Sequence, residues 1–585
     1  MKKFLIVLIF LLSSFLRLYC LDKVPPSLFS DEVDLGYQAY SFLKTGKDYF
    51  GNSWPISFHS FADFRAPLYI YSAAGTIAIF GLNEWGVRLP AAIYGILGIV
   101  AFFLLIKEIS NNVSFSLLAT FFLSITPWHF HYSRAGFEAT AIFFLTTLGL
   151  WLFFKSLKKR SFIFFVFSLF FLSLGFYTYA IARLFLPLLG VAAFFIFKKD
   201  ILDFGLKKNA VALLIVAIVL LPFLKDSLLG QGLHRFSYLN IFSDSNLKFE
   251  IDRQRLVDTI HGREQVVGMK TTPLAYFFHN KPTSWAWTII NNYFLSFSTS
   301  FLFLKGDLNL RHGVGNFGGI LVFMAPFFVL GIIKFWWLIK ERKTDIVSFK
   351  QALFWLIFLL LSPIPSSITY DGGTHATRLF LMIIPLIILI TAGVWDFFSF
   401  FRSYQKFIVK IFFGFIISLN SLFYFHQYFY HFPIEAEKFW HAGFKEGMTL
   451  IKENENSFDK IIMSNTYEPP LIFFLFWTRF DPKNFSAQAL ETVDNDWFEG
   501  KKLGKYYFGR VRTAFQDRYL VSLAKEKNIE KILILSGRND FGGDLENGSS
   551  AFLKIIKKIY LPSKQPIFFL VRTRTFQELQ NTNIE

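Results

Sequence analysis

Residues 1–32 read MKKFLIVLIFLLSSFLRLYCLDKVPPSLFSDE, and this stretch decides how the rest of the chain is interpreted. Lys2 and Lys3 precede an apolar run over residues 4–21 that is long enough to cross a bilayer. No small-x-small cleavage site follows the run, so we interpret it as an uncleaved first helix rather than a signal peptide. Positive charge before a membrane helix favours a cytoplasmic N-terminus, which places Ser30-Asp31-Glu32 at the outer mouth of that helix.

The composition extends this interpretation to the whole chain. Of the 585 residues, 53% are hydrophobic and 80 are Phe, and the net charge is +18. Recurring apolar runs of ~20 residues are what a bilayer requires, so the chain is predicted to be a polytopic membrane protein. Its basic residues come in short runs between apolar segments, which is typical of cytoplasmic loops and argues against nucleic-acid binding.

Eleven apolar runs predict membrane spans. They lie near 4–21, 87–106, 113–127, 138–154, 161–176, 183–197, 209–224, 318–338, 351–367, 378–397 and 407–425. Lys and Arg runs fall on every second connecting segment, whereas Asp, His, Tyr and Gly fall on the others, so the former are predicted to be cytoplasmic and the latter outside. Residues 67–82 and 284–304 are also apolar, but counting either as a span would invert every later loop. We therefore expect both to be outer juxtamembrane helices that do not cross.

The chain is predicted to divide into two domains. Residues 1–430 form the membrane domain, and residues 431–585 show the mixed charge and short apolar runs of a small α/β domain. Strands are predicted over Lys460 to Ser464, Leu471 to Phe476, Lys531 to Ser536 and Pro566 to Val571, and helices near 435–453, 517–527 and 550–558. An odd number of spans from a cytoplasmic N-terminus places this domain outside the cell.

Asp31 and Glu32 are the strongest candidates for chemistry. They begin a predicted helix that ends near Thr45-Gly46, where Gly can provide the C-terminal cap. Ser30 or Asp31 could simply cap that helix. At the membrane surface, however, a carboxylate facing other polar loops could accept a proton from an acceptor hydroxyl as a leaving group departs.

The other outer loops carry further candidates that could converge on Asp31. Arg residues there suit a phosphate or carboxylate partner, and flexible Gly-rich backbone beside Arg311 suits a lipid-linked phosphate. The middles of the predicted spans contain almost no charged residues, which makes an ion-coupled transporter the weaker alternative. These loop candidates are His131, Arg134, Glu138, Tyr177, Arg311, His312, His375 and Arg378.

Several motifs together resemble the polytopic GT-C glycosyltransferases, closest to the protein O-mannosyltransferase and aminoarabinose-to-lipid-A transferase branches. The resemblance covers about residues 1–430. It rests on VPPSLFSDE at 24–32, RAPLY at 65–69, FGLNEWGVRLP at 80–90, PWHFHYSR at 127–134 and FLFLKGDLNLRHGVGNFGG at 301–319.

The resemblance implies a GT-C fold and a sugar donor carried on polyprenyl phosphate. It places the catalytic carboxylate at Asp31 and a donor-phosphate ligand at Arg65. This chain has Arg-Ala-Pro where the aminoarabinose transferases have Lys-Pro-Pro, and Phe64 where they carry an acid, which argues against a metal site that depends on that acid. No cofactor is established, and the need for a divalent cation stays open.

We therefore predict a multi-pass cell-membrane glycosyltransferase that moves a sugar to an extracytoplasmic lipid, glycan or protein. Asp31 would be the general base, with Glu32 supporting it. The phosphate ligands would be Arg65, Arg311, His312 and Arg378, and the pocket would be lined by His131, Arg134, Glu138, Tyr177 and His375. The alternatives are a transporter of polyprenyl-linked glycans and a non-catalytic scaffold for the C-terminal domain, for which the loops would not need to converge.

Overall fold

The computed structural model describes most of the chain. The described residues are 2–61, 63–229, 240–244, 246–261, 271–485, 487, 490–495, 498–511, 531–538, 540–541, 553–575 and 578. The helix predicted over 517–527 lies outside them.

Helices dominate the chain up to about residue 435. They are α1 Lys2–Leu18, α2 Ser30–Thr45, α3 Pro67–Phe80, α4 Glu84–Ser110, α5 Val113–Ile125, α6 Pro127–Tyr132, α7 Ala139–Lys159, α8 Phe162–Leu174, α9 Ala182–Leu202, α10 Leu206–Leu229, α11 Asn246–Ile260, α12 Pro273–Phe278, α13 Lys281–Leu295, α14 Ala325–Lys340, α15 Phe349–Leu361, α16 Ile364–Ser367, α17 Ile383–Ser399, α18 Ser403–His426 and α19 Phe432–Glu435.

Each of the eleven predicted spans overlaps one of these helices. By length and composition, seven helices of the described chain can cross a membrane: α4, α7 and α10, and α14, α15, α17 and α18 together with the short helical segments that adjoin them. The chain is thus a multi-pass α-helical membrane protein. The count of eleven crossings and the sidedness of the termini stay predictions.

The two excluded apolar segments are short helices, as predicted. Helix α3 has 14 residues, so it is ~21 Å long against a hydrocarbon core of ~30 Å. Helix α13 has 15 residues and carries a buried Asn292, whose amide donates to the carbonyl of Thr369 over 2.8 Å. Helices α5 and α8, which overlap predicted spans, are shorter still at 13 residues each, so the exclusion of α3 and α13 rests on the alternation of the loop charges.

The membrane helices pack closely where small residues allow it. A Cβ atom added at Gly331 of α14 would lie 2.0 Å from the Leu389 carbonyl oxygen, and one added at Gly393 of α17 would lie 2.0 Å from that of Phe327. Glycine at both positions therefore brings the backbones of α14 and α17 into contact, as is common in membrane bundles.

Helix α2 confirms the helix predicted after the first outer carboxylates. It ends at Gly46, whose φ of 70° is the left-handed conformation expected of a glycine cap. After it, the short strands β1 Phe58–His59 and β2 Phe64–Arg65 pair antiparallel. This hairpin returns Arg65 to the start of α2.

The C-terminal part is built on one seven-stranded sheet. Its strands are β3 Lys460–Ser464, β4 Glu491–Asn495, β5 Phe498–Leu503, β6 Tyr506–Val511, β7 Ile532–Gly537, β8 Leu553–Tyr560 and β9 Pro566–Thr573, in the order β4-β5-β6-β3-β7-β9-β8. Strand β3 is central and pairs parallel with both β6 and β7. Helices α20 Phe444–Asn454 and α21 Leu471–Trp477 accompany the sheet.

Three sequence predictions in this part need correction. The strand predicted over 471–476 is helix α21, because a short apolar run does not distinguish a buried helix from a buried strand. The helix predicted near 550–558 is the Lys-rich strand β8 at the sheet edge, a composition that protects exposed edges. The helix predicted from residue 435 begins only at Phe444, after Gly443 with a φ of 98°.

The sheet domain packs directly on the first outer helix. Phe473 and Phe476 of α21 belong to the same buried cluster as Val33 and Leu35 of α2. A Cβ added at Gly36 would lie only 2.5 Å from the Phe476 ring, so glycine permits the contact. The first outer loop and the C-terminal domain thus share one core.

Candidate active site after the first helix

Three carboxylates occupy the first turns of α2, and they differ in burial. The side chain of Asp31 is 52% exposed, whereas that of Glu32 is fully buried and that of Asp34 is 7% exposed. Consecutive residues on a helix point ~100° apart, so neighbours in sequence face different surroundings. Asp31 alone among the three is open to a substrate.

Arg65 joins two of these carboxylates. Its Nη2 lies 2.7 Å from Oδ1 of Asp31, and its Nε lies 2.5 Å from Oδ2 of Asp34. Tyr49 and Ser60 donate to Asp34 over 2.5 and 3.0 Å. Burial opposes the charge on Arg65, but Asp31, Asp34 and Glu138 raise its pKa well above the usual value. Arg65 is thus a fixed cation beside an accessible carboxylate.

Glu32 does not support Asp31 as predicted. Its Oε1 lies 2.9 Å from Nε of Arg88 and accepts the Gly136 N–H over 2.7 Å, and both charged side chains are fully buried. Arg88 also donates to the carbonyl oxygens of Leu21 and Pro25, each over 3.0 Å. The Glu32–Arg88 pair therefore fastens the loop after α1 to helix α4.

Arg311 reaches the same mouth from the later outer loop. Its Nε donates to the Phe439 carbonyl over 2.9 Å, and its guanidinium lies over the Phe29 ring at 5.6 Å. The Arg311 carbonyl is 2.8 Å from Nε2 of His131. Burial lowers the pKa of His131 to about 4, so this imidazole is a neutral support for the Arg311 loop rather than a cationic ligand.

Two further predicted pocket residues have structural contacts instead. Arg134 is fully buried and donates to carbonyls at the end of α1, including that of Leu16 over 2.7 Å. The Tyr177 hydroxyl donates to the Val219 carbonyl of α10 over 2.6 Å. Within the first span, the buried Arg17 likewise donates to the Ser124 carbonyl over 3.2 Å. These side chains stabilise helix packing.

Three further candidates, His312, His375 and Arg378, have contacts with neighbouring loop residues. His312 contacts Thr377 over 3.1 Å and its ring centroid is 4.8 Å from that of His375. Burial lowers the pKa of His312, followed by the effect of His375. Arg378 donates to the Asp371 carboxylate and, over 2.6 Å, to Thr369. The Arg378 guanidinium, predicted to bind the donor phosphate, is therefore paired with the Asp371 carboxylate in this structure.

Sequence reasoning missed four members of this site. Asp34 binds Arg65, and Tyr49 donates to Asp34. His441 and Glu468 come from the C-terminal part. Nε2 of His441 is 3.0 Å from Nη2 of Arg311 and 3.6 Å from Oε2 of Glu468. Glu468 follows the carboxyl end of the central parallel strand β3, where α/β sheets commonly bind ligands, and that position was a usable signal.

Within the described ranges, no group of three or more His, Cys, Asp or Glu side chains is arranged to hold a metal ion. The Asp31 carboxylate lies 2.7 Å from the Arg65 guanidinium.

Comparisons with known proteins agree with this architecture. Residues 64–225 match the family described as dolichyl-phosphate-mannose-protein mannosyltransferase. The ArnT protein of Cupriavidus metallidurans, bound to undecaprenyl phosphate, superposes with a TM-score of 0.50 at 12% identity over 97% of each chain. The archaeal oligosaccharyltransferase AglB of Archaeoglobus fulgidus gives 0.50 at 14% identity over 91% of this chain and 69% of that one.

A sequence relative matches a smaller part. The "Putative mannosyltransferase YkcB" of Bacillus subtilis (strain 168) is 28% identical over 219 residues, which is 37% of this chain and 29% of the relative.

The likeness to ArnT and AglB shows that the chain shares the GT-C fold of these proteins. The sequence match to the mannosyltransferase family covers only the segment from β2 into α10.

Proposed function

We propose that this protein is a membrane glycosyltransferase that transfers a sugar from a polyprenyl-phosphate carrier to an extracytoplasmic lipid, glycan or protein. The observation that carries the proposal is the Asp31–Arg65 pair, in which a half-exposed carboxylate lies 2.7 Å from a buried arginine at the outer mouth of α1. ArnT was solved with undecaprenyl phosphate, which supports a carrier of this class.

In the proposed reaction, an acceptor hydroxyl attacks the anomeric carbon of the sugar as the bond to the carrier phosphate breaks. Asp31 takes the hydroxyl proton, and the carrier leaves as polyprenyl phosphate. Arg65 and Arg311 would stabilise the charge that develops on the leaving phosphate, and Arg65 would also orient Asp31. Fixed cations in a partly dehydrated site favour that charged transition state most.

The three carboxylates of α2 differ in burial, and this difference indicates which of them can act as the base. Glu32 and Asp34 are shielded and each is bound to an arginine, so neither can meet an acceptor without breaking a buried ion pair. Asp31 can reach solvent and substrate from the same helix turn. This difference supports Asp31 as the base.

The test is transfer by the purified protein, using a panel of labelled polyprenyl-phosphate sugars with envelope extract as acceptor. Asp31→Asn should stay folded and still bind donor, because Asn has nearly the shape of Asp, keeps an oxygen that can accept from Arg65, and does not replace a cap, since Phe29 holds the N-cap position of α2. It should lose ~100-fold or more in transfer rate, because an amide cannot take up the proton. Asp22→Asn, which removes a carboxylate from the same outer loop, should stay active. Near-normal turnover in Asp31→Asn would reject the general base.

A further inference from the structure

Residues 436–443, the wedge segment, lie between α19 and α20. They contact both the loop that carries Arg311 and the loop that precedes α2. The indole of Trp440 donates to the Leu310 carbonyl over 3.0 Å, beside Arg311. The same ring lies edge-on to Phe29 of the first outer loop, with centroids 5.1 Å apart. The wedge segment thus fixes the spacing between two loops that are distant in sequence.

His441 continues this bridge with both ring nitrogens. The Ser30 amide nitrogen lies 3.2 Å from Nδ1, and Nη2 of Arg311 lies 3.0 Å from Nε2. Ser30 directly precedes Asp31 in α2. A single imidazole, 2% exposed, therefore connects the start of the Asp31 helix to the Arg311 guanidinium.

The surroundings keep this imidazole neutral. Burial, then the charge of Arg311, lowers the pKa of His441 to about 3, although Asp31 acts in the opposite direction. Glu468 also faces the ring. A neutral imidazole has one acceptor nitrogen, yet two donors are directed at it. The guanidinium contact is charge-assisted and therefore the stronger of the two.

The backbone gives an independent indication. His441 has a φ of 50°, a left-handed conformation that costs free energy for most side chains and that Asn tolerates better. Residues held in sparsely populated backbone conformations cluster at functional sites. For His441, the strongest side-chain contact is the one from Nε2 to Arg311.

We propose that His441 is a positioning residue, whose Nε2 holds the Arg311 guanidinium beside Asp31 in readiness for the donor phosphate. The C-terminal domain is then an integral part of the transfer site. This inference rests on the proposed function, because it assigns a role within that reaction.

Two amide substitutions separate the two nitrogens. The side-chain oxygen of Asn reaches the position of Nδ1, so His441→Asn can accept from the Ser30 N–H but loses the contact to Arg311. The oxygen of Gln reaches the position of Nε2, so His441→Gln keeps the Arg311 contact. We expect His441→Asn to raise the donor KM about tenfold with kcat little changed, as for loss of a hydrogen bond to a charged group. His441→Gln should stay within about threefold of wild type.

Stability should follow the opposite order, because Asn suits the left-handed backbone better than Gln. A purely structural role would make activity follow thermal stability, with His441→Asn the more active variant, and that result would overturn the proposal. Tyr467→Phe is the matched control, because it removes a wedge contact to the Lys438 carbonyl without touching Arg311.

A double-mutant cycle completes the test. If His441 acts through Arg311, His441→Asn should change the donor KM less than twofold in an Arg311→Met background. Full additivity would contradict the proposal. If wild type is active and His441→Asn has unchanged kinetics, the role of His441 is rejected and the proposed function stands. If wild type transfers no sugar from any donor in the panel, the proposed function is rejected as well.

Discussion

Two arginine–carboxylate pairs begin at adjacent residues of α2 and have opposite surroundings. In the open pair, Asp31 is 52% exposed beside Arg65, whereas in the closed pair Glu32 and Arg88 are both fully buried. Arg88 is also committed to backbone carbonyls of the loop after α1. Burial, rather than residue type, separates a group that can react from one that holds the fold.

The largest expected effect is on the closed pair. Arg88→Met leaves Glu32 as a buried charge without its guanidinium, so the free energy of unfolding should fall by ~3–5 kcal/mol. Denaturant or thermal unfolding in detergent measures this. Adding Glu32→Leu should recover much of the loss, because two apolar side chains replace the pair. Arg253→Met, which breaks an exposed pair to Glu250, should cost less than ~1 kcal/mol. Equal losses of unfolding free energy in Arg88→Met and Arg253→Met would show that burial does not make the Glu32–Arg88 pair more important for stability than an exposed pair.

The next effect concerns donor binding at the open pair. Arg65→Lys keeps a positive charge near Asp34 but cannot make both of the guanidinium contacts. We expect donor affinity to weaken by ~1.5–3 kcal/mol, the value of a charge-assisted contact. Binding of labelled polyprenyl phosphate to the purified protein measures it, with Arg253→Lys as control. Unchanged donor affinity would show that Arg65 only orients Asp31.

The smallest effect extends the comparison to a third buried carboxylate. Asp307 accepts the N–H groups of Asn309 and Ala376 over 2.9 and 3.0 Å, and burial raises its pKa to about 6. A raised carboxyl pKa means that the folded state holds the proton more tightly than the unfolded state. Ionisation of Asp307 therefore costs stability as pH rises from about 4 through 6.

On acidification from pH 7 to pH 5, wild type should gain roughly 1 kcal/mol relative to Asp307→Asn. Subtracting the variant cancels the other titrating groups, such as His131 and His441. A difference between the two proteins that does not change with pH would show that Asp307 is ionised throughout.

The sequence predicted those parts of the site that depend on local signals. Helix α2 follows an apolar run and ends at the predicted glycine cap Gly46, so its bounds followed from neighbouring residues. The predicted cap at Ser30 or Asp31 was wrong, because the helix begins one residue earlier and Phe29 occupies the N-cap position. The hairpin that returns Arg65 could not be predicted from spacing, and its place in the site came from the resemblance.

The rest depends on contacts between distant residues. His441 and Glu468 lie more than 400 residues from Ser30, and no periodicity connects them to it. Arg134 and Tyr177 were assigned to the pocket because a loop sequence does not show which way a side chain points. Their hydrogen bonds to carbonyls of α1 and α10 show that they serve helix packing.

The shared core of α2 and α21 has a consequence for the time course of synthesis. Val33 and Leu35 are buried partly by Phe473 and Phe476, which the ribosome adds more than 400 residues later. At ~5–20 residues per second, that interval is about 20 to 90 seconds. For this period the apolar face of α2 is made but uncovered at the membrane surface, so a chain interrupted before residue 471 presents that face to lipids, chaperones and proteases.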